Sequence, residues 1–249
     1  MRSVESVASI GEDQIEQKMA HWTELLAAAL AHDINNLALS LSSAQRLIHP
    51  GAGADFDGAE WAAFVEGDVD RLRKLGVRLR ALAAAGDIRS SARLNDACAD
   101  ALTEVHPAGA QVRRADSPPV DSRVRGTADA VRAAITSLLE YAVAASPTGA
   151  PIELAVREVS GGPVIVEIAA PAASATGPIE RARLDTLLDT ALRDRRGDLS
   201  LVLAGAVADR LGGTVYFALD PKRGLVLELQ LVAYLSRTSR TASASLDGK

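Results

Sequence analysis

Three residues within little more than one helical turn have side chains suited to chemistry. In the stretch AHDINNLALSL, residues 31–41, His32 is followed by Asp33 and, four places on, by Asn36. If the stretch is helical, His32 and Asn36 stand one above the other on one face, and Ser40 and Ser43 continue that polar strip. An exposed imidazole beside a carboxylate can have one ring nitrogen held by the acid and the other free as a nucleophile. Such an arrangement suits phosphoryl transfer to the free nitrogen, with the carboxylate stabilising the positive charge that develops on the ring. An amide one turn away could hydrogen-bond a phosphoryl oxygen or orient an attacking water. The same residues also make an ordinary solvated helix face, and by themselves they do not choose between the two.

The elements that must position them are legible from periodicity. Apolar residues recur in steps of three and four at Ile15, Met19, Trp22, Leu26, Ala29, Leu30, Ile34, Leu37, Leu41, Ala44 and Ile48, which predicts one long amphipathic helix. It should end at HPGAGADFDG, where proline and glycines break it. Trp61, Val65, Val69, Leu72, Leu75, Leu79 and Leu82 then mark a second helix ending at Gly86. The stripe through Ile34 sets His32 about 200° away from it, facing solvent. A helical hairpin with two half-exposed apolar stripes commonly pairs with a second copy, so a homodimeric four-helix bundle is expected.

Composition narrows the classes. The chain has 249 residues, 48% of them hydrophobic but only 3% aromatic, so Ala, Leu and Val must build its core. A net charge of −5 gives no electrostatic reason for a nucleic-acid partner. Cys98 is the only cysteine, which excludes an intrachain disulfide and leaves too few thiols for a zinc site. His21, His49 and His106 have no partners at metal-ligand spacing and read as surface or loop residues, so no metal is expected. No apolar run approaches the roughly 20 residues of a membrane span, and the N-terminus carries acids where a signal peptide needs an apolar core. A soluble, cytoplasmic protein with no membrane association is the expectation.

The second half reads as α+β. After the short apolar stretch LNDACADAL, residues 106–126 look like strand and loop; ADAVRAAITSLLEYAVAAS is a helix; IELAVREV and VIVEIAA alternate as a hairpin around SGG. A helix is expected at roughly 178–193, then another in GDLSLVLAGAVADRL closed by Gly212-Gly213, then a last hairpin of TVYFAL and GLVLELQLV across DPKRG. The expected organisation is a hairpin over 12–88, an α/β sandwich over 93–233 and a disordered tail over 234–249.

HDINN, its flanks LAAALAHDINNLALSL and the second helix DVDRLRKLGVRLRALA resemble the H-box and the dimerisation and phosphotransfer hairpin of sensor histidine kinases. The resemblance implies that His32 is the phosphoacceptor, Asp33 its acid/base partner and Asn36 the residue that positions the phosphoryl group or a water. The order of elements over 93–233 is similar to the ATP-binding domain of those kinases, but the nucleotide boxes depart from the family. SLLEYA, 137–142, has Ser137 and Tyr141 where the family has asparagines, one of which helps hold Mg²⁺. Ala170 stands where an Asp should meet the adenine amino group, and alanine has no acceptor for it. Ala172 and Ser174 replace glycines, GDLSL puts Asp198 beside Gly197 in the last glycine box, and the lid segment of about 175–196 is short.

A histidine phosphotransferase follows as the expectation: a homodimer relaying a phosphoryl group between the aspartates of receiver domains through His32. It would need no cofactor of its own, since the receiver would supply Mg²⁺. The alternatives are a non-catalytic pseudokinase scaffold that binds response regulators, and an ATP-dependent histidine kinase or phosphatase with a divergent nucleotide site. Arg71, Arg73, Lys74, Arg78 and Arg80 make the second helix basic, either as a solvated face or for docking an acidic receiver. Trp22 and Trp61 sit at core positions of the two helices.

Overall fold

The computed structural model describes residues 4–47, 58–87, 89–105, 111–115, 122–160, 162–171, 178–192, 194 and 198–234. Two long helices come first, α1 (Val4–Leu47) and α2 (Gly58–Ala84). The chain then forms β1 (Ser91–Arg93), α3 (Leu94–Val105), β2 (Gln111–Arg114), β3 (Arg123–Arg125), α4 (Ala128–Ala145), β4 (Pro151–Glu158) and β5 (Val164–Ala170). It closes with β6 (Ile179–Arg183), α5 (Leu184–Asp189), α6 (Leu199–Arg210), β7 (Thr214–Asp220) and β8 (Gly224–Leu231). No helix among the described residues is long and apolar enough to cross a membrane.

Six strands make a mixed sheet in the order β2-β4-β5-β8-β7-β6, antiparallel throughout except for the parallel β2-β4 pair. Alternation decides its two faces. Leu154, Val156, Val166, Ile168, Leu227, Leu229, Val215 and Phe217 are buried in one cluster with Ile135, Leu138 and Leu139 of α4 and Leu201 and Val202 of α6. On the other face Arg157 and Arg181 close over Glu228 at 3.3 Å and 2.7 Å, and Arg223 pairs with Glu167. Charged groups thus cover the side that no helix protects. The start of α4 depends on Gly126, whose φ of 108° favours glycine and where a Cβ would lie 2.1 Å from Leu211 Cδ2. Thr127 then caps the helix by accepting from the Ala130 N–H at 3.2 Å.

One expectation for the second half needs correction. Residues 178–193 are not one helix: Ile179–Arg183 form β6 on the edge of the sheet, with a bulge between Ile179 and Ala182 where it pairs with β7, and only Leu184–Asp189 are helical. The bulge upsets strict alternation, so IERARLDTLLD reads as helix from its charges and leucines. The short apolar stretch LNDACADAL makes up most of α3, whose Leu94, Ala97, Cys98 and Ala101 line the core.

The hairpin shares that core. Trp22, Leu25 and Ala29 of α1 and Leu82 of α2 belong to the same buried cluster as the sheet. At the contact of α1 with α6, the indole of Trp22 lies so close to Gly205 that a Cβ there would come within 2.1 Å of the ring. Around it, Lys18 pairs with Asp209, and Arg210 donates to the Leu82 carbonyl at 3.3 Å. This docking rotates the buried face of α1 away from the stripe expected from periodicity. Ala29 and Leu37 are buried and Leu26 and Leu30 half-buried, whereas Ile34 is 55% exposed and Leu41 is also exposed. Phe64, Val69 and Leu72 are exposed on α2, and Trp61 is half-buried rather than core.

Gly205→Ala supplies a test of sign. Glycine to alanine inside a helix ordinarily stabilises by up to about 1 kcal/mol. Here the methyl group meets the Trp22 ring, and overpacking should instead destabilise by about 1–3 kcal/mol in urea denaturation.

Candidate functional site

His32 and Asn36 lie on the exposed side of α1, at adjoining turns. The Asn36 Nδ2 is 3.1 Å from His32 Nε2. In the tautomer that has its proton on Nδ1, the amide N–H donates to Nε2, so the nitrogen that points at Asn36 is the one carrying the lone pair. The (i, i+4) spacing in an unbroken helix is what brings the two together. Asp33 is placed differently. It is half-buried and lines a groove, and among the described residues no hydrogen bond or ion pair links it to the His32 ring.

That groove, about 450 Å³, runs between the hairpin and the α/β unit. Asp33, Asn36 and Leu37 of α1 and Arg71, Lys74 and Arg78 of α2 form one wall, and Glu140 of α4 and Leu199 of α6 the other. Arg78 pairs with Glu140 across it and is only 9% exposed, with its Nε buried and without a partner. The basic run on α2 is therefore not one uniform solvated face. Arg71 lies 3.8 Å from Asp68, which also accepts from the Ser40 hydroxyl at 2.7 Å, and Lys74 lies 3.2 Å from Asp70. The Arg78–Glu140 pair joins residues 62 apart in sequence, and no local pattern signals it.

At the positions where the sequence departs from a nucleotide site, the described side chains are packed. Ser137 is fully buried with its Oγ unpartnered, and Tyr141 is 7% exposed with its ring 6.2 Å from that of Phe217. Ala170 is buried at the end of β5. Asp198 caps α6, its carboxylate accepting from the Ser200 and Leu201 N–H groups at 3.1 Å and 3.3 Å. A helix N-terminus of that kind can hold an anion, and here the chain supplies its own. Ala172, Ser174, Gly197 and only the two ends of the lid expectation lie outside the described residues, as do His49, His106 and the tail from 235 onward; the middle of the lid is the edge strand β6 and the short helix α5. His21 is half-buried beside Trp22 and 3.8 Å from Asp189. Burial pushes the Cys98 thiol up to about 12, which removes it as a nucleophile near neutral pH.

The fold is that of a histidine-kinase core, a helical hairpin joined to an α/β sandwich. The Acinetobacter baumannii histidine kinase AdeS matches 82% of this chain with 98% of its own at a TM-score of 0.57 and 13% identity. Weaker likenesses include a mycobacterial sensor histidine kinase, MprB, over 59% of this chain and 99% of that one (TM-score 0.47, 14% identity). Full-length ShkA, solved in complex with AMPPNP, covers 86% of this chain and 47% of its own (TM-score 0.48, 18% identity). No family model and no curated protein matches the sequence.

Two stability experiments follow from the site. Arg78→Met leaves the Glu140 carboxylate facing a groove without its cation and should cost about 1–3 kcal/mol. Adding Glu140→Leu should recover most of that loss, which a thermodynamic cycle from urea denaturation measures. For Cys98, the folded thiol stays protonated to about 12 while the unfolded one ionises near its ordinary value of 9.0. The folded state therefore holds the extra proton, so the thiol's contribution is complete below pH 9 and is lost as pH rises toward 12. Cys98→Ala should flatten the decline of stability over that window.

Proposed function

We propose that the protein is a histidine phosphotransferase that relays a phosphoryl group between receiver-domain aspartates through His32 and does not use ATP. The observation that carries this reading is a pairing: an exposed imidazole on the hairpin of a histidine-kinase fold, and side chains packed where that fold would need nucleotide ligands. Tyr141 and Ser137 stand at the asparagine positions, Ala170 at the aspartate position, and the Asp198 carboxylate occupies the N-terminus of α6.

In the proposed reaction the Nε2 lone pair of His32 attacks the phosphorus of an aspartyl phosphate. The N–P bond forms as the P–O bond to the aspartate carboxylate breaks, and the carboxylate leaves with that electron pair. The ring becomes a cation that keeps its proton on Nδ1. Asp33, one residue away in the lining of the groove, stabilises that charge through space. Asn36 yields its hydrogen bond to Nε2 and can then donate to a phosphoryl oxygen. Transfer onward reverses these steps on a second receiver, which brings the Mg²⁺ that its own aspartyl chemistry needs. A second copy of the chain would cover Ile34, Leu41, Phe64, Val69 and Leu72 and complete a four-helix bundle, leaving both His32 faces open to receivers.

The test is to mix the purified protein with radiolabelled ATP alone, and then with a labelled, phosphorylated receiver, and to follow acid-labile label on the chain. Label should come from the receiver only and should vanish in His32→Gln. Label from ATP alone would favour the divergent kinase, and none from a panel of receivers would favour the scaffold.

A further inference from the structure

We propose that the ribbon formed by β1 and β3 is a docking surface for an acidic, extended segment of a partner protein, separate from the His32 site. In this antiparallel pair Arg93 lies opposite Arg123, and Ser91 opposite Arg125. Opposed residues and residues two apart share a face, so all three arginines project from one side. The alternate residues, Ala92 and Val124, are buried on the other side and fix this orientation. The chain returns along the free edge of β3 after β8, where Val124 bridges Ala233 and the Tyr234 N–H donates to the Arg123 carbonyl at 2.7 Å. That places Tyr234, 36% exposed, in register beside Arg123.

The three guanidinium groups are exposed, and among the described residues no carboxylate pairs with any of them. The nearby acid Glu158 is engaged by the Ser122 hydroxyl at 2.8 Å. Like charges directly opposite on a ribbon destabilise it. The sequence has 32 acidic side chains and a net charge of −5, yet among the described residues three cations and an aromatic ring stand together on this face with no carboxylate paired to them. Arg123 and Arg125 are two residues apart on one strand, about 7 Å. Carboxylates at alternate positions of an extended peptide have the same spacing, so each can take a bidentate guanidinium while Tyr234 packs on the intervening backbone. The negative remainder of the molecule disfavours a long polyanion such as duplex nucleic acid, whose charge would run beyond this small face.

Two measurements on the full-length protein decide the matter. The first is fluorescence anisotropy of a labelled peptide of alternating Glu and Thr, at about 50 and about 300 mM salt. Binding should weaken about tenfold with that rise in salt. It should fall at least about tenfold in the Arg93→Glu/Arg123→Glu/Arg125→Glu variant and persist within about threefold in the triple lysine variant. The second is the melting temperature of Arg123→Glu, which converts a repulsive pair into an attractive one. It should rise by about 1–4 °C. Unchanged anisotropy in the glutamate variant would overturn the proposal, as would tighter binding of a duplex oligonucleotide of matched charge. A fall in melting temperature would make the arginines structural instead.

Discussion

The contact between the Trp22 indole and the bare backbone of Gly205 determines how the two parts of the molecule meet. It removes one flank of α1 from solvent and ties the hairpin to α6, within a core built mainly from aliphatic side chains with Tyr141 and Phe217 among them. With so few aromatic residues in the chain, one large ring set against a glycine gives an unusually directional join. The groove holding Asp33, Asn36, Arg78 and Glu140 exists because of that join, since its walls belong to different parts of the fold. The ion pair between Arg78 and Glu140 then bridges the groove. The opposite flank of α1 keeps Ile34 and Leu41 exposed, so one helix serves an internal interface on one side and presents an apolar stripe on another.

Exposed polar side chains are separated from packing along the same helix. His32 and Asn36 face outward and touch each other, while Trp22, Leu25 and Ala29 face the core. At the central positions of this fold Tyr141, Ser137 and Ala170 are buried among core side chains. The Asp198 cap has the same character, meeting the N–H groups of α6 with the chain's own carboxylate.

Much of this was legible in the sequence because it depends on local periodicity. The two long helices, α4, α6 and the β4–β5 and β7–β8 hairpins follow from spacing and turn residues, and the (i, i+4) relation of His32 to Asn36 follows from helix geometry alone. What could not be read depends on contacts distant in sequence. The burial of Arg78 needs Glu140, the exposure of Ile34 needs the docking of α1 on α6, and the bulged edge strand β6 needs β7. Asp33 shows the limit most clearly. Its adjacency in sequence suggests a carboxylate beside the ring, and the helix instead turns it toward the groove.

The central claim is that Nε2 of His32 receives the phosphoryl group. Its most direct measurement is ³¹P NMR, with peptide mapping, of the protein after incubation with a phosphorylated receiver and no ATP. The account predicts one phosphoramidate resonance of the Nε2-linked kind, mapping to His32 and absent from His32→Gln. A resonance that survives that substitution, or one that forms on Nδ1, would contradict it.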